Sequence, residues 1–100
     1  MDKVTVNGAD YFRQETGDIK IVILQRGWVM VGRLSRVGTD CTLRDASVLR
    51  VWGTTRGLGE IALDGPTSST KLDKAGTVQF DYLTTVATIS CEASKWEKSL

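Results

Sequence analysis

Glycines that separate short apolar runs restrict the fold of this chain. Ten glycines and one proline, Pro66, divide its 100 residues into segments rich in Val, Ile and Thr. These β-branched side chains fit a pleated surface well. Regular turn residues between short apolar runs are typical of small all-β folds. The sequence therefore predicts a mainly β protein, a small antiparallel barrel or sandwich of about six strands with one short helix.

The predicted strands follow the apolar runs. A chain of 100 residues has the length of one domain, in which we expect residues 1–18 to form an N-terminal extension and residues 92–100 a C-terminal tail. The extension itself begins with a short apolar stretch, residues 4–6, and carries Tyr11 and Phe12. Residues 18–24 are almost continuously apolar, which indicates burial on both faces. A turn at residues 25–27 should join this strand to its hairpin partner. The other expected strands are residues 28–34, 41–47, 48–52, 77–80 and 84–91, with a solvated loop at 71–74.

The expected helix lies between the fourth and fifth of these strands. Leu58, Ile61 and Ala62 have the i, i+3, i+4 spacing of one helical face. Thr54 or Thr55 is suited to cap its first turn. The Asp64-Gly65-Pro66 sequence should end it, since glycine and then proline commonly follow a helix.

The composition argues against catalysis and against metal binding. The sequence has no histidine and only two cysteines, Cys41 and Cys91. Histidine-dependent triads, imidazole zinc sites and four-cysteine sites are therefore excluded within one chain. No nucleophile–base pair is apparent. We expect no catalytic residues, no metal and no cofactor, and we expect both cysteines to be thiols in a reducing compartment.

Charge and hydropathy limit the partners. The sequence has thirteen Lys and Arg residues and twelve Asp and Glu residues, which gives a net charge of +1. Duplex nucleic acid is not expected as a partner, because such binding requires a strongly basic surface. The longest apolar run is far shorter than the roughly 20 residues that span a bilayer. The N-terminus has no apolar signal segment. We therefore expect a cytoplasmic protein with no membrane partner.

Residues 50–59 (RVWGTTRGLG) combine the residue types that bind nucleotides. Trp52 offers a flat face for a base. Arg50 and Arg56 have the planar fork that chelates phosphate or a purine edge. The hydroxyls of Thr54 and Thr55 can donate to phosphate oxygens, and a helix start with glycines attracts anions. In the alternative interpretation, Trp52 lies in the core, the arginines are solvated and the glycines only form turns.

Further candidate residues flank this segment. Arg26 and Trp28 lie at the predicted hairpin turn, where Trp28 could face Trp52 across an aromatic slot. Asp64 could bond a base or ribose, or only the Gly65 turn. The alternative for the hairpin turn is a simple turn tip followed by a core aromatic. Trp96 stands in a charged tail and is expected to anchor that tail by packing.

Five segments in order resemble a family of small phage proteins, the anti-CBASS cyclic-nucleotide sponges. They cover about three quarters of the chain, and their order and spacing carry the resemblance. The departures are that the second aromatic of the family's aromatic–Tyr–Trp motif is absent after Trp52, where Gly53 and Thr54 stand, and that residues 1–18 extend beyond the common pattern. The segments are residues 21–32 (IVILQRGWVMVG), 43–46 (LRDA), 49–52 (LRVW), 58–65 (LGEIALDG) and 89–93 (ISCEA).

The resemblance implies a protein of viral immune evasion. Members of that family sequester the cyclic dinucleotide signal of bacterial CBASS defence, such as 3′3′-cGAMP, without cleaving it. It further implies a homotetramer with ligand pockets at subunit contacts, acting in the host bacterial cytoplasm. The expected ligand-binding residues are Arg26, Trp28, Arg50, Trp52, Thr54, Thr55, Arg56 and Asp64.

Two alternative functions remain open from the sequence. One is a sponge for another nucleotide signal, either a cyclic ADP-ribose isomer or a cyclic trinucleotide. The other is a small β-barrel module for single-stranded nucleic acid, which would use a basic and aromatic face. The near-neutral charge of the chain argues against the second alternative.

Overall fold

The described part of the chain is built around one antiparallel sheet. The computed structural model describes residues 17–54 and 56–100. The strands pair in the order β4-β3-β2-β1-β5, and every neighbouring pair is antiparallel. The prediction of a mainly β, antiparallel fold with a short helix is confirmed. The elements are β1 Asp18–Leu24, β2 Val29–Val37, β3 Asp40–Val51, α1 Leu58–Asp64, β4 Lys71–Asp81, β5 Thr85–Ser90 and α2 Ala93–Trp96.

The sheet must curl, because a short link joins its two edge strands. β4 and β5 lie at opposite edges, yet only the 3-10 turn Tyr82–Thr84 connects them. In a flat sheet of five strands, the edges would be about 19 Å apart, or four spacings of about 4.8 Å. The path from Asp81 to Thr85 reaches about 14 Å even when fully extended. The edges therefore approach each other at this end, and the sheet takes the form of an open barrel.

One side of the sheet packs against the helices. Ile21, Val31 and Leu49 form a buried cluster with Ile61 and Ala62 of α1 and with Trp96 of α2. The predicted apolar face of α1 is therefore confirmed at Ile61 and Ala62. Trp96 is completely buried, so the prediction that it anchors the C-terminal segment is also confirmed.

The other side of the sheet buries a cluster made of strand residues alone. Val22, Met30, Leu43 and Ala46 are its buried members, and residues of β1 to β4 pack around them. Ile21 and Val22 are neighbours in β1 and both are fully buried on opposite faces. The prediction that β1 is buried on both faces is confirmed.

The expected strands at residues 41–47 and 48–52 form one continuous strand, β3, so in the described part of the chain the sheet has five strands where about six were expected. The β2–β3 and β3–β4 ladders shift register near Asp45, whose φ is 52°. A bulge of this kind bends a strand without ending it.

The expected loop at residues 71–74 is wrong, because these residues begin β4. Lys71, Leu72, Asp73 and Lys74 pair with the second half of β3. Their charged side chains are exposed on an edge strand, where charge discourages unwanted strand pairing. The predictions for residues 4–6, Tyr11, Phe12 and Thr55 concern residues outside those that the structure describes.

Within the ranges that the structure describes, no helix has the length and apolar character needed to cross a membrane.

Candidate nucleotide-binding site

The turn between β1 and β2 presents Arg26 and Trp28 to solvent. Arg26 and Gly27 both have positive φ, 69° and 82°, and the Leu24 N–H closes the turn by donating to the Trp28 carbonyl at 2.8 Å. The predicted turn is confirmed. Trp28 is 56% exposed, so it is not the core aromatic of the alternative interpretation. A large exposed indole at a strained turn is a candidate contact surface.

The register of the β2–β3 ladder, extended beyond Met30, brings Arg50 opposite Trp28. The ladder pairs Met30 with Val48, and extending this register places Trp28 level with Arg50. The Arg50 Nε donates to Asp73 Oδ2 of β4 at 2.7 Å. This hydrogen bond and the charge of Asp73 raise the pKa of the Arg50 guanidinium. Arg50 is therefore a permanent cation whose orientation is held by β4.

An apolar cleft opens next to Trp28, and we call it the Trp28 cleft. Its volume is about 370 Å³. This volume lies within the range of small-molecule sites, which are mostly apolar with few polar groups. No local sequence pattern indicates the cleft, because its walls come from four strands. They include Leu24, Trp28, Met30, Val48, Val78 and Phe80.

The segment that follows β3 is tied to a threonine loop. The Trp52 carbonyl accepts from Thr70 Oγ1 at 2.7 Å, and the Gly53 carbonyl accepts from Thr67 Oγ1 at 2.9 Å. Trp52 itself is 42% exposed, so it is not a core residue either. Thr67 and Thr70 were missed as positioning residues, since their partners lie at least 14 residues away.

The start of α1 is capped differently from the prediction. Gly57 is the N-cap residue, with φ 85°, and no side-chain cap is present. Thr54 Oγ1 accepts from the Gly57 N–H at 3.1 Å, one residue before the helix. The Arg56 N–H donates to Glu60 Oε1 at 3.2 Å. Threonine side chains favour such local bonds to nearby backbone, which satisfies a donor here without capping the helix.

Arg56 is held between two carboxylates. Its Nε lies 3.5 Å from Glu60 Oε1, and its Nη2 lies 3.9 Å from Asp64 Oδ2. The structure thus brings Arg56 and Asp64 together and adds Glu60, which the sequence analysis missed. Glu60 lies four residues after Arg56, the spacing at which opposite charges pair on a helix, and this spacing could have indicated it. A guanidinium beside two carboxylates, as at Arg56, attracts an added anion less strongly than a guanidinium beside one carboxylate, as at Arg50.

The candidate residues therefore form two groups. The hairpin group contains Arg26, Trp28 and Arg50. The α1 group contains Trp52, Thr54, Arg56 and Asp64. Trp52 is not among the described residues that line the Trp28 cleft, so the structure does not bring the expected aromatic slot together there.

Both cysteines are free. Burial raises the pKa of the Cys91 thiol to about 11, and burial likewise raises the pKa of Cys41. Both side chains are therefore protonated at neutral pH and are weak nucleophiles. Among residues 17–54 and 56–100, no three His, Cys, Asp or Glu side chains are grouped so that they could hold a metal ion.

Comparison with known proteins identifies no family. No protein-family model matches the chain, and a search of curated proteins also gives no match. Among solved structures, the crystal structure of a heptameric archaeal Sm protein overlaps the chain with a TM-score of 0.49 and 16% sequence identity. The overlap covers 77% of this chain and 90% of that one. A likeness this distant supports no statement about ligand or assembly.

Proposed function

We propose that this protein binds and sequesters a cyclic dinucleotide second messenger, such as 3′3′-cGAMP, without cleaving it. In this proposal it is a phage protein of immune evasion that removes the CBASS signal in the host bacterial cytoplasm. The observation that carries the proposal is the exposed Trp28 indole beside Arg50 at an apolar cleft.

The chemistry of the hairpin group suits both halves of a nucleotide. A nucleobase has apolar faces, and stacking on an aromatic side chain is favourable for every base. A phosphodiester is anionic, and an arginine fork donates parallel hydrogen bonds to its oxygens. Arg50 is oriented by Asp73, and Arg26 lies two residues before Trp28 in the same turn. Aromatic face and cation therefore lie close together.

Binding without cleavage fits the side chains available. The sequence has no histidine to act as a general base. The Cys91 thiol, with its pKa raised to about 11, is a poor nucleophile at neutral pH. Tight binding of a signal needs only complementary surfaces, which arginines, hydroxyls and indoles provide.

The segments that resemble the sponge family fall on ordered elements around these groups. Residues 21–32 form most of the β1–β2 hairpin, and residues 43–46 and 49–52 belong to β3 or follow it directly. Residues 58–65 comprise α1 and its C-cap glycine, and residues 89–93 join β5 to α2. This placement supports the proposal because the resemblance includes the turn that carries Arg26 and Trp28.

The proposal includes a homo-oligomer, with a tetramer as its expected form. Among the residues that the structure describes, β4 pairs only with β3 and β5 only with β1, which leaves one side of each strand for another copy in this proposal. Native proteins rarely leave long edges open, and closed symmetry is usual in homo-oligomers. Ala75, Val78 and Phe80 of the edge strand β4 line the Trp28 cleft, so a neighbouring copy at this edge would complete a pocket there.

Native mass spectrometry with a panel of cyclic nucleotides tests the proposal. The panel contains 3′3′-cGAMP, a cyclic trinucleotide and a cyclic ADP-ribose isomer. We expect 3′3′-cGAMP to bind to an oligomer and to be recovered intact after heat denaturation. Recovery of linear dinucleotide would show an enzyme, and preferential binding of another panel member would show a different signal.

A parallel titration with single-stranded oligonucleotides at rising salt separates the nucleic-acid alternative. Binding driven by many phosphate contacts weakens steeply with salt. Tight, salt-sensitive oligonucleotide binding together with no binding to the panel would replace the sponge by a nucleic-acid module.

A further inference from the structure

The Trp28 cleft is a gap in the buried core that strand residues form. Its lining residue Met30 is a buried member of the strand cluster. Four others are partly buried and pack against that cluster: Leu24, Val48, Val78 and Phe80. Trp28 stands at its opening with 56% of its surface exposed. Since protein cores are close-packed, an open apolar gap bounded by an exposed indole is suited to a flat apolar group from outside.

Two arginines near Trp28 favour a flat apolar group that carries a negative charge. Arg50 is level with Trp28, and Arg26 belongs to the same turn. The occupant should therefore combine an apolar planar part with an anionic part attached to it. A nucleobase with its sugar and phosphate has this combination. The hydrocarbon side chain of another protein copy would bring no negative charge to the two arginines.

We infer that the Trp28 cleft holds one purine base of the ligand, between the Trp28 indole and the Phe80 ring, with the attached phosphate at Arg50. This inference rests on the proposed function and adds Phe80, Val78 and Ala75 of β4, none of which the sequence analysis selected. The apolar faces of the base replace water against Met30 and Val78, and its polar edge stays at the opening.

A variant that fills the cleft gives the sharpest test. Ala75 lines the cleft from β4 and is exposed, so Ala75→Leu adds bulk there without removing any core side chain. Thr77→Leu is the matched control, because Thr77 is an exposed residue of the same strand that does not line the cleft. Calorimetric titration with 3′3′-cGAMP should show at least about tenfold weaker binding for Ala75→Leu and unchanged binding for Thr77→Leu.

NMR with mononucleotides tests the base separately from the sponge. The indole N–H signal of Trp28, assigned from Trp28→Phe, should move on titration with AMP or GMP and stay in place with ribose 5-phosphate. The Ala75→Leu protein should lose this response. If AMP or GMP shifts the Trp28 signal but the protein binds no cyclic nucleotide, the inference about the cleft is supported and the proposed sponge function is refuted.

Two results would overturn the inference. If 3′3′-cGAMP binds equally well to Ala75→Leu and to the unchanged protein, the sponge stands and the base lies elsewhere. If no cyclic nucleotide binds and AMP and GMP also leave the Trp28 signal unmoved, the cleft takes no base.

Discussion

The Trp96 indole Nε1 donates to the Ile61 carbonyl at 2.9 Å, and both residues are fully buried. The last four carbonyls of a helix lack partners within it. In α1, the Ile61 carbonyl also accepts from the Gly65 N–H at 2.8 Å, and the Ala62 carbonyl accepts from the Glu92 N–H at 2.8 Å. The C-terminal segment therefore completes α1 and is more than the polar tail that the sequence suggested.

Replacing Trp96 should separate its two contributions to stability, the packing of its buried ring and its hydrogen bond to the Ile61 carbonyl. Trp96→Ala removes the largest buried side chain and should lower the free energy of unfolding by about 3–5 kcal/mol. Trp96→Phe retains a ring but loses the hydrogen bond, and Ile61 keeps its Gly65 donor, so about 1–2 kcal/mol is expected. Urea denaturation measures both. Trp28→Phe, at an exposed position, should change stability by less than about 0.5 kcal/mol; equal effects at the two sites would contradict this account.

Two glycine-to-alanine substitutions should have opposite effects on stability. Gly53 has φ 67°, and a Cβ there would lie 2.5 Å from the Ser69 carbonyl carbon, so Gly53→Ala should destabilise by about 1–2 kcal/mol or more. Gly59 lies inside α1 with no atom within 4 Å of a Cβ. Gly59→Ala should therefore stabilise by about 0.5–1 kcal/mol. Thermal melting of both variants checks the pair, and a stabilised Gly53→Ala protein would be incompatible with the described loop.

Arg50 and Arg56 should differ in their importance for ligand. Arg50→Ala is expected to weaken 3′3′-cGAMP binding about tenfold or more, since it removes the cation beside Trp28. Arg56→Ala should change binding less than about threefold, because Glu60 and Asp64 already engage this guanidinium. The sequence analysis gave Arg50 and Arg56 the same role, and the structure separates them.

Calorimetry gives the two affinities, with Lys98→Ala as an exposed control. Melting temperatures without ligand should hardly change in any of the three variants, as exposed ion pairs contribute little. A larger loss for Arg56→Ala than for Arg50→Ala would move the site to the α1 group.

Alkaline pH should destabilise the protein partly through Cys91. Burial raises the pKa of its thiol from 9.0 to about 11 in the folded state, so the folded protein retains a proton that the unfolded chain releases. This contribution is complete below about pH 9 and is lost as pH rises through about 11. Urea unfolding at about pH 8 and about pH 10.5 should show a shallower loss of stability in Cys91→Ala than in the unchanged protein. Identical pH slopes would argue against the raised pKa.

Assembly should respond to a charge on the β5 edge. Light scattering should give a mass near that of a tetramer, and Val86→Lys should reduce it, because a charged residue on an edge strand opposes pairing. Val86 is 67% exposed in β5. Leu63→Lys, at an exposed apolar position of α1, should leave the mass unchanged. A single-subunit mass for the unchanged protein at micromolar concentration would refute the oligomer.

Local patterns predicted the elements whose causes are local. β1 has the bounds that its apolar run indicated, and α1 ends at Gly65 as its glycine and proline indicated. The extent of β4 could not be predicted in this way. Lys71 to Lys74 are strand residues only because β3 pairs with them. Pairing with a distant segment produces no strand pattern in the sequence of these four residues.

The candidate site was predicted only in part, because its assembly also depends on pairing between distant segments. Residue chemistry selected Trp28 and Arg50 individually, but their adjacency depends on the β2–β3 register. The bulge near Asp45 alters that register, and no local sequence feature gives its position. Phe80 was missed because it and Trp28 line one cleft from different elements, β4 and the β1–β2 turn.

The short link between the sheet edges has a consequence for the order of folding. The β1–β2 and β2–β3 ladders are hairpins between neighbouring strands, whereas β5 returns to β1 and pairs Ile89 with Ile21 from the far end of the chain. Contacts between residues distant in sequence form slowly, because the intervening chain must lose entropy first. We expect β5 to dock last, so that a nascent chain halted after Asp81 would carry the hairpins and the residues that line the Trp28 cleft, with β1 paired to β2 and not yet to β5.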